Sequence, residues 1–314
     1  MSIAVTGASG FIGSALVKKL GRRGARVLCI ARSPERTGER SQQHLLWDPM
    51  RGTMDTDALE SLDAVIHLAG EPIARRWTKS RRETIRSSRI AGTRLLAQTL
   101  ARLNSKPTVL LSASAVGIYG SRGDELLEET STTGSDFLAE TAVQWEAATQ
   151  AAQDAGIRVV HLRTGIVLGP GGGVLGVQLP LFRVCLGATV GSGSQWMSPI
   201  SLSDHVDAML HCLSNDQIRG PVNLVSPEAV TNEQYTHELA NVLRRPAIFR
   251  VPASAIRALM GAEMADLTAL ASQRVKPRVL LESGFRWRHP TLESMLRSAV
   301  HQVNTVFSTA SLFL

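Results

Sequence analysis

Eight residues near the start of the chain leave little choice of fold. Thr6-Gly7-Ala8-Ser9-Gly10-Phe11-Ile12-Gly13 follows a short branched run, Ile3–Thr6, and leads straight into a helical pattern over Phe11–Arg22. A glycine at 7 permits a tight turn, one at 10 lets backbone approach a pyrophosphate, and one at 13 lets the helix lie close on a strand. A helix opening at that point turns unpaired N–H groups and its positive dipole end toward phosphate. Strand, glycine turn and helix in this order point to a dinucleotide-binding α/β fold, with Gly7, Ser9, Gly10, Phe11, Ile12 and Gly13 around the phosphates.

The alternation continues through the first half. Strand patterns at Arg26–Ala31, His44–Trp47, Ala64–Leu68, Thr108–Ser112 and Arg158–Leu162 are interleaved with helical stretches, notably Thr78–Leu103 and Phe137–Ala155. Continuous apolar strands between helices imply a parallel sheet covered on both faces, a doubly wound Rossmann arrangement. Gly169-Pro-Gly-Gly-Gly173 suits only a loop. Beyond it, helical patterns at Val206–Leu213, Asn232–Val242 and Ala253–Ala271 predict a smaller, mainly helical C-terminal lobe. The expected division is a dinucleotide-binding domain over 1–168, to which later segments can return, a substrate lobe over 169–300, and a tail over 301–314 without an assigned role. Ligands of such sheets sit beyond the carboxyl ends of the strands, here expected in a cleft between the lobes.

The residue ending the second strand discriminates between dinucleotides. An acid there binds a ribose 2′-hydroxyl, whereas arginine accommodates a 2′-phosphate. The run Val27-Leu-Cys-Ile30 ends in Ala31-Arg32-Ser33, with Arg36 nearby and no acid. Arg32 offers a bidentate fork and Ser33 a hydroxyl, so the expected cofactor is NADP(H). The rival reading of Arg32 is a solvated surface arginine.

Composition narrows the setting. The 314 residues are 44% hydrophobic and 19% charged, with mean hydropathy near zero, which suits a packed globular enzyme. No apolar run approaches the ~20 residues of a membrane helix, and no leader pattern opens the sequence, so no membrane association is expected. Three widely spaced cysteines and eight scattered histidines give neither a disulfide framework nor a metal-ligand pattern, and a reducing, cytoplasmic location is expected. Between Arg75 and Arg94 stand eight basic residues and one acid, Glu83. With 4% aromatic residues and no accompanying motif, nucleic acid is not expected as the partner. Within that run Arg82, Arg86 and Arg89 share one helix face, which either borders the ligand or faces water.

These motifs resemble those of extended short-chain dehydrogenase/reductases of the NAD-dependent epimerase/dehydratase type. The glycine loop, His67-Leu-Ala-Gly70, Leu111-Ser-Ala-Ser114-Ala-Val-Gly-Ile-Tyr-Gly120 and Leu162-Arg-Thr-Gly-Ile-Val-Leu-Gly-Pro170 carry the likeness. Gly70-Glu-Pro-Ile73, Arg76-Trp-Thr78, Ser88-Arg-Ile90, Trp145-Glu146, Trp196 to His205 and Ser272-Gln-Arg-Val-Lys-Pro277 resemble the atypical branch labelled epimerase family protein, with its own C-terminal domain. The likeness spans roughly residues 1 to 299. It implies that Leu68, Ala69, Gly70 and Ser112 line the cofactor, that Arg163 lies near the nicotinamide, and that Ser114 holds the serine position of the catalytic machinery. It also implies a homodimer built on Thr78–Leu103 and Phe137–Ala155.

One part of the family pattern is missing. Redox members carry Tyr-x-x-x-Lys, in which lysine tunes the tyrosine that moves the proton. Of the two tyrosines here, Tyr119 is followed four residues on by Gly123 and Tyr235 by Leu239. The expected segment reads Phe137-Leu-Ala-Glu-Thr-Ala-Val-Gln-Trp-Glu146, without tyrosine or lysine. Ser114, Glu140 and Tyr119 are the substitutes considered for catalysis; their structural alternatives are strand-end packing, an exposed helix glutamate and a structural loop tyrosine. Arg76, Trp77 and Trp196 are candidates for substrate contact, with core packing the alternative for Trp77. Asp204 is expected to cap the helix after it. Two functions follow: an atypical oxidoreductase or epimerase acting on a small polar, anionic-tolerant substrate, or a non-catalytic NADP(H)-binding sensor. The sensor requires the glycine loop and Arg32 but no proton-transfer pair.

Overall fold

Strands that are apolar on both sides need helices on both sides, and the chain supplies them in alternation. In the computed structural model, which describes residues 1–32 and 43–310, the order begins β1 (Ser2–Thr6), α1 (Phe11–Arg22), β2 (Arg26–Ala31), β3 (Gln43–Asp48), β4 (Thr53–Met54) and β5 (Ala64–His67). There follow α2 (Lys79–Arg102), β6 (Val109–Ala115), β7 (Leu126–Leu127), α3 (Phe137–Ala147), α4 (Gln150–Asp154), β8 (Arg158–Thr164) and β9 (Ile166–Leu168). Next come α5 (Gly173–Arg183), β10 (Ala188–Val190), β11 (Trp196–Met197), β12 (Pro199–Ser201), α6 (Leu202–Ser214) and β13 (Gly220–Leu224). The last elements are β14 (Val230–Thr231), α7 (Asn232–Leu243), β15 (Phe249–Val251), α8 (Ala253–Met260), α9 (Ala262–Leu267), β16 (Arg274–Val275), α10 (Arg278–Glu282) and α11 (Leu292–Ala310). Among the described residues no helix is long and apolar enough to cross a membrane.

Two compact units form, each assembled from separated stretches. The first takes residues 1–118, 137–163 and 206–222, and the second residues 119–136, 164–205 and 223–314. The central sheet runs β13-β8-β6-β5-β1-β2-β3-β4. β1 pairs in parallel with both β2 and β5, so the chain builds outward to β3 on one side and then returns to start again on the other. That reversal leaves a crevice at the carboxyl ends of β1 and β5, the place where doubly wound sheets take their ligands.

Packing follows the expected periods. α1 buries Gly13, Leu16, Val17 and Leu20, spaced three and four apart along one face. From α2, Leu96, Ala97 and Leu100 join Leu28, Leu45, Trp47, Leu59, Leu110 and Val159 in one apolar cluster. The second unit has its own core, in which Leu175 and Phe182 of α5 meet Tyr235 and Leu239 of α7 and Met295 and Leu296 of α11. Around it the strands are short pairs, such as β9 with β12 and β10 with β15.

Several elements depart from the sequence expectation. The helix expected over 137–155 is interrupted, because the Thr149 hydroxyl donates to the Glu146 carbonyl at 2.7 Å and so competes with the helical ladder. The one expected over 253–271 is divided by Gly261, whose φ of 90° lies outside the helical region. Asp204 does not cap α6. Ser201 does, its hydroxyl accepting from Asp204 N at 3.0 Å, while the Asp204 carboxylate accepts from the amides of Arg288 and His289. α11 continues past 300 as far as Ala310, and residues 311–314 lie outside the described residues.

Leu96 is fully buried in the first unit's core. Leu96→Ala is expected to lower stability by about 2–5 kcal/mol, read from the urea midpoint; a loss below ~1 kcal/mol would show that the α2 face is not packed as described.

Candidate functional site

Steric exclusion at the turn after β1 defines the site. Gly7 has φ of 69°, and a Cβ there would meet the Leu68 carbonyl carbon and oxygen at 2.8 Å. A Cβ on Gly13 would come within 2.1 Å of the Gly7 carbonyl oxygen, which no side chain tolerates. Gly10 closes the turn by donating to Gly7 O at 3.0 Å. α1 then opens at Phe11 with no side-chain cap and no acid in its first turn, so its leading amides and positive end are left to an anion. Ser9 and Gly10 are exposed, and Phe11 and Ile12 are half-buried beside them.

The facing wall comes from the end of β5. Leu68 N and Ala69 N donate to Thr6 Oγ1 at 3.0 and 3.1 Å, which fixes Leu68-Ala69-Gly70 against the glycine turn. Those two bonds use both acceptor sites of the Thr6 hydroxyl, so its own proton goes to His67 Nδ1, 2.7 Å away. His67 is therefore the Nε2–H tautomer, donating to Thr93 Oγ1 at 2.9 Å, where Trp145 Nε1 donates as well. Burial pushes the His67 pKa down to about 4, and the ring is neutral at physiological pH.

Cradle, open helix end and lack of acid together fit the pyrophosphate of a dinucleotide. Arg32 stands exposed at the end of β2. Ser33 and Arg36 lie outside the described residues.

A second polar cluster lies at the carboxyl end of β6. Ser114 Oγ donates to Glu146 Oε1 at 2.6 Å, and Arg163 grips the same carboxylate from β8, Nε to Oε1 at 2.8 Å and Nη2 to Oε2 at 2.9 Å. His161 Nδ1 lies 3.8 Å from Oε2, and its Nε2 is within 2.9 Å of Thr149 Oγ1. Burial pushes the Glu146 pKa up, but the hydrogen bonds and charge of Arg163, helped by His161 and Ser114, outweigh it and hold the carboxyl below its ordinary value. Burial pushes His161 down, against the pull of Glu146, so it stays neutral. Ser112, two residues before Ser114 and level with His67 in the neighbouring strand, is buried, and its hydroxyl has no hydrogen-bond partner among the described residues.

The other candidates are distributed differently. Glu140 is exposed on α3, so the burial needed to make it an acid is absent; the half-buried carboxylate of that helix is Glu146. Sequence reading passed over Glu146 as a catalytic group, although it sits at the end of the segment where the family's pair is missing. Tyr119 is fully buried and donates to Asn223 Oδ1 at 2.7 Å, which occupies its hydroxyl within the second unit. Arg163 is turned to Glu146 in an ion pair within the first unit. Trp196 donates to Asp124 at 2.7 Å and lies under the Arg274 guanidinium. Trp77 donates to the Ile73 carbonyl and packs edge-on against Phe137, whereas its neighbour Arg76 is exposed.

The basic face of α2 is engaged within its own unit. Arg82 lies over the Phe137 ring, Arg86 donates to Gln144 of α3, and Arg89 donates to the Glu71 and Ile85 carbonyls. Arg81 adds Glu71 at 2.8 Å. These side chains staple the 71–77 segment and α3 to α2.

A doubly wound sheet with this glycine cradle defines a dinucleotide-binding protein of the Rossmann class. Residues 3–225 match the family model described as NAD dependent epimerase/dehydratase, and residues 251–299 a domain of unknown function, DUF1731. The chain belongs to the NAD-dependent epimerase/dehydratase family. An epimerase family protein of Mycobacterium tuberculosis is 41% identical, across 94% of this chain and 96% of the relative. The crystal structure of human epimerase family protein SDR39U1 with NADPH superimposes with a TM-score of 0.88 at 31% identity, covering 96% of this chain and 99% of that one. A nucleoside-diphosphate sugar epimerase from Corynebacterium glutamicum is 33% identical, with a TM-score of 0.75, across 98% of this chain and 61% of its own.

Two outcomes test the site's construction. Gly13→Ala is expected to destabilise by on the order of 2–4 kcal/mol, because the Gly7 carbonyl must move. Gly21→Ala in the same helix meets nothing within 4 Å and is expected to stabilise by up to ~1 kcal/mol; equal effects at both positions would refute the close approach.

Protonation of His67 is the second. The folded pKa of about 4 lies below the ordinary 6.5, so the stabilisation is complete above pH 6.5 and is lost as pH falls from 6.5 toward 4. The loss is roughly 3 kcal/mol. Urea midpoints across that range are expected to fall less steeply in His67→Asn than in the wild type.

Proposed function

We propose that this chain binds NADP(H) in the Gly7–Gly13 cradle and acts as an atypical oxidoreductase or epimerase on a small polar substrate, Ser114 and Glu146 handling the proton. The observation that carries this reading is the 2.6 Å bond from Ser114 to a half-buried carboxylate at the carboxyl end of β6. It places a hydroxyl and a proton acceptor together at the serine position of a family whose usual pair is absent. Gly7, Ser9, Gly10, Phe11, Ile12 and Gly13 hold the pyrophosphate, Leu68, Ala69 and Gly70 form the facing wall, and Arg32 takes the 2′-phosphate. When bound, the dinucleotide supplies or accepts hydride. The chain's own residues orient it and hold the substrate hydroxyl or carbonyl. NADPH in the human relative's crystal structure supports the phosphorylated cofactor, and the Corynebacterium relative's name brings sugar nucleotides among the substrates to screen.

The sensor reading is favoured by one observation. Arg163 grips both oxygens of Glu146 and keeps it ionised, which makes the carboxylate a weak base. A protein that only reports cofactor occupancy needs no stronger one.

Melting temperature with and without each dinucleotide tests the proposal. NADP(H) at ~100 times its Kd is expected to add about 2.7 kcal/mol, a shift of several degrees. Arg32→Ala is expected to weaken NADP(H) by roughly tenfold or more and to leave NAD(H) unchanged. No shift with any dinucleotide would remove the proposal. With binding established, NADPH oxidation by a carbonyl panel, or NADP⁺ reduction by alcohols, lost in Ser114→Ala, separates the enzyme from the sensor.

A further inference from the structure

α5 is apolar on every side. From Gly173 to Phe182 it carries no charge, and its one polar side chain, Gln178, is taken by the Tyr235 hydroxyl, which donates to it at 2.7 Å. Leu175, Leu179 and Phe182 are buried in the core of the second unit. The opposite side is open. Val177 is 71% exposed, Val184 at the end of the helix is 64% exposed, and the exposed Leu181 stands between them. Spacings of four and three put these three on one face. A helix that is apolar all round is ordinarily covered all round, yet this face meets solvent.

The chain extends this face beyond the helix. The Leu186 amide donates to the Leu181 carbonyl at 2.8 Å and the Cys185 amide to the Phe182 carbonyl at 3.0 Å, with Cys185 left-handed at φ 62°. That closure returns the exposed Leu186 to the Leu181 end of the helix. β10 follows and pairs in parallel with β15, Ala188 level with Phe249, which brings Ile248, 82% exposed, beside the turn that holds Leu186. The patch so formed leaves on the order of 600 Å² of apolar surface open, the upper end for a monomer and most of the ~800 Å² per partner in a standard interface.

We propose that a second copy of the chain covers this face, α5 crossing α5 of the partner about a two-fold axis. A face without charge meets itself with no like charges opposed, and antiparallel helices set their dipoles head to tail. Gly176 is exposed on the same side, and an added Cβ there would find only the Gly171 carbonyl carbon, at 4.0 Å, so a partner helix can come close. Family likeness places the contact between copies on α2 and α3 instead. Those helices are engaged with each other, Arg82 over Phe137 and Arg86 on Gln144. Val143, 39% exposed, is the one large apolar side chain they leave open among the described residues. One such side chain makes no interface core.

Sedimentation of the full chain over about 1–100 μM tests this, with the wild type expected to be dimeric at the top of the range. Leu181→Arg and Ile248→Arg are each expected to raise the dimer dissociation constant by about 100-fold, because a two-fold contact contains every substitution twice. Val143→Arg on α3 is expected to leave it unchanged. Should Leu181→Arg lower the melting temperature, Ile248→Arg decides, since that side chain is open to solvent in its own unit. A wild type that stays monomeric throughout would overturn the inference. So would a dimer that survives both α5-face variants, or one lost in Val143→Arg. Arg244 and Arg245, exposed on the approach to Ile248, make an anionic lipid surface the rival occupant. Vesicles of phosphatidylcholine with and without phosphatidylglycerol address it by flotation. A wild-type monomer that floats only with the anionic vesicles would assign the face to lipid and remove the second copy.

Discussion

Everything at the ligand end of the first unit depends on how closely two stretches of bare backbone approach each other. The Gly7 carbonyl lies where a Gly13 Cβ would stand, and the Gly7 Cα lies against the Leu68 peptide. No attractive interaction need be strong for this to hold; the absence of side chains is sufficient. With the turn so tight, α1 starts directly under the end of β1, its open amides face the crevice between β1 and β5, and the 68–70 segment can lie alongside. Thr6 then ties the two walls together with a single hydroxyl, and the neutral His67 behind it passes the connection on to Thr93 and Trp145. The phosphate cradle is thus braced from within by uncharged groups. That arrangement avoids placing a buried charge behind an anion site.

The arginines show how little charge alone says about function. Eight basic residues in a span of twenty suggest a polyanion partner, yet Arg81, Arg82, Arg86 and Arg89 reach carbonyls, a carboxylate, an amide and aromatic rings of their own unit. Guanidinium groups suit this work because their fixed, planar donors can bind several acceptors while lying flat on a ring. The segment they secure, residues 71 to 77, is irregular backbone, and irregular backbone near a site needs such anchoring to keep one shape.

At the end of β6 the family's proton-transfer pair gives way to a different organisation. Tyrosine and lysine form a donor poised to release its proton. Ser114, Glu146 and Arg163 instead form a chain in which the carboxylate is held by the guanidinium and accepts from the serine hydroxyl.

Local periodicity carried much of the fold in the sequence. The glycine spacing, the helical patterns of α1 and α2 and the parallel strands could be read there because each depends on neighbours within a few positions. Arg32 could be read for the same reason, from its place at a strand end. Partner choice could not. Ser114 and Glu146 are 32 residues apart and Glu146 and Arg163 are 17, and nothing local distinguishes the half-buried, paired Glu146 from the exposed Glu140 on the same helix. Nor did sequence show that Ser201 and not Asp204 caps α6. Sequence determined where backbone must turn and which faces must be covered, because those are properties of short segments. The tertiary structure alone decided which polar groups meet and in which direction each proton points, because burial leaves a buried polar group only the partners that folding brings within reach.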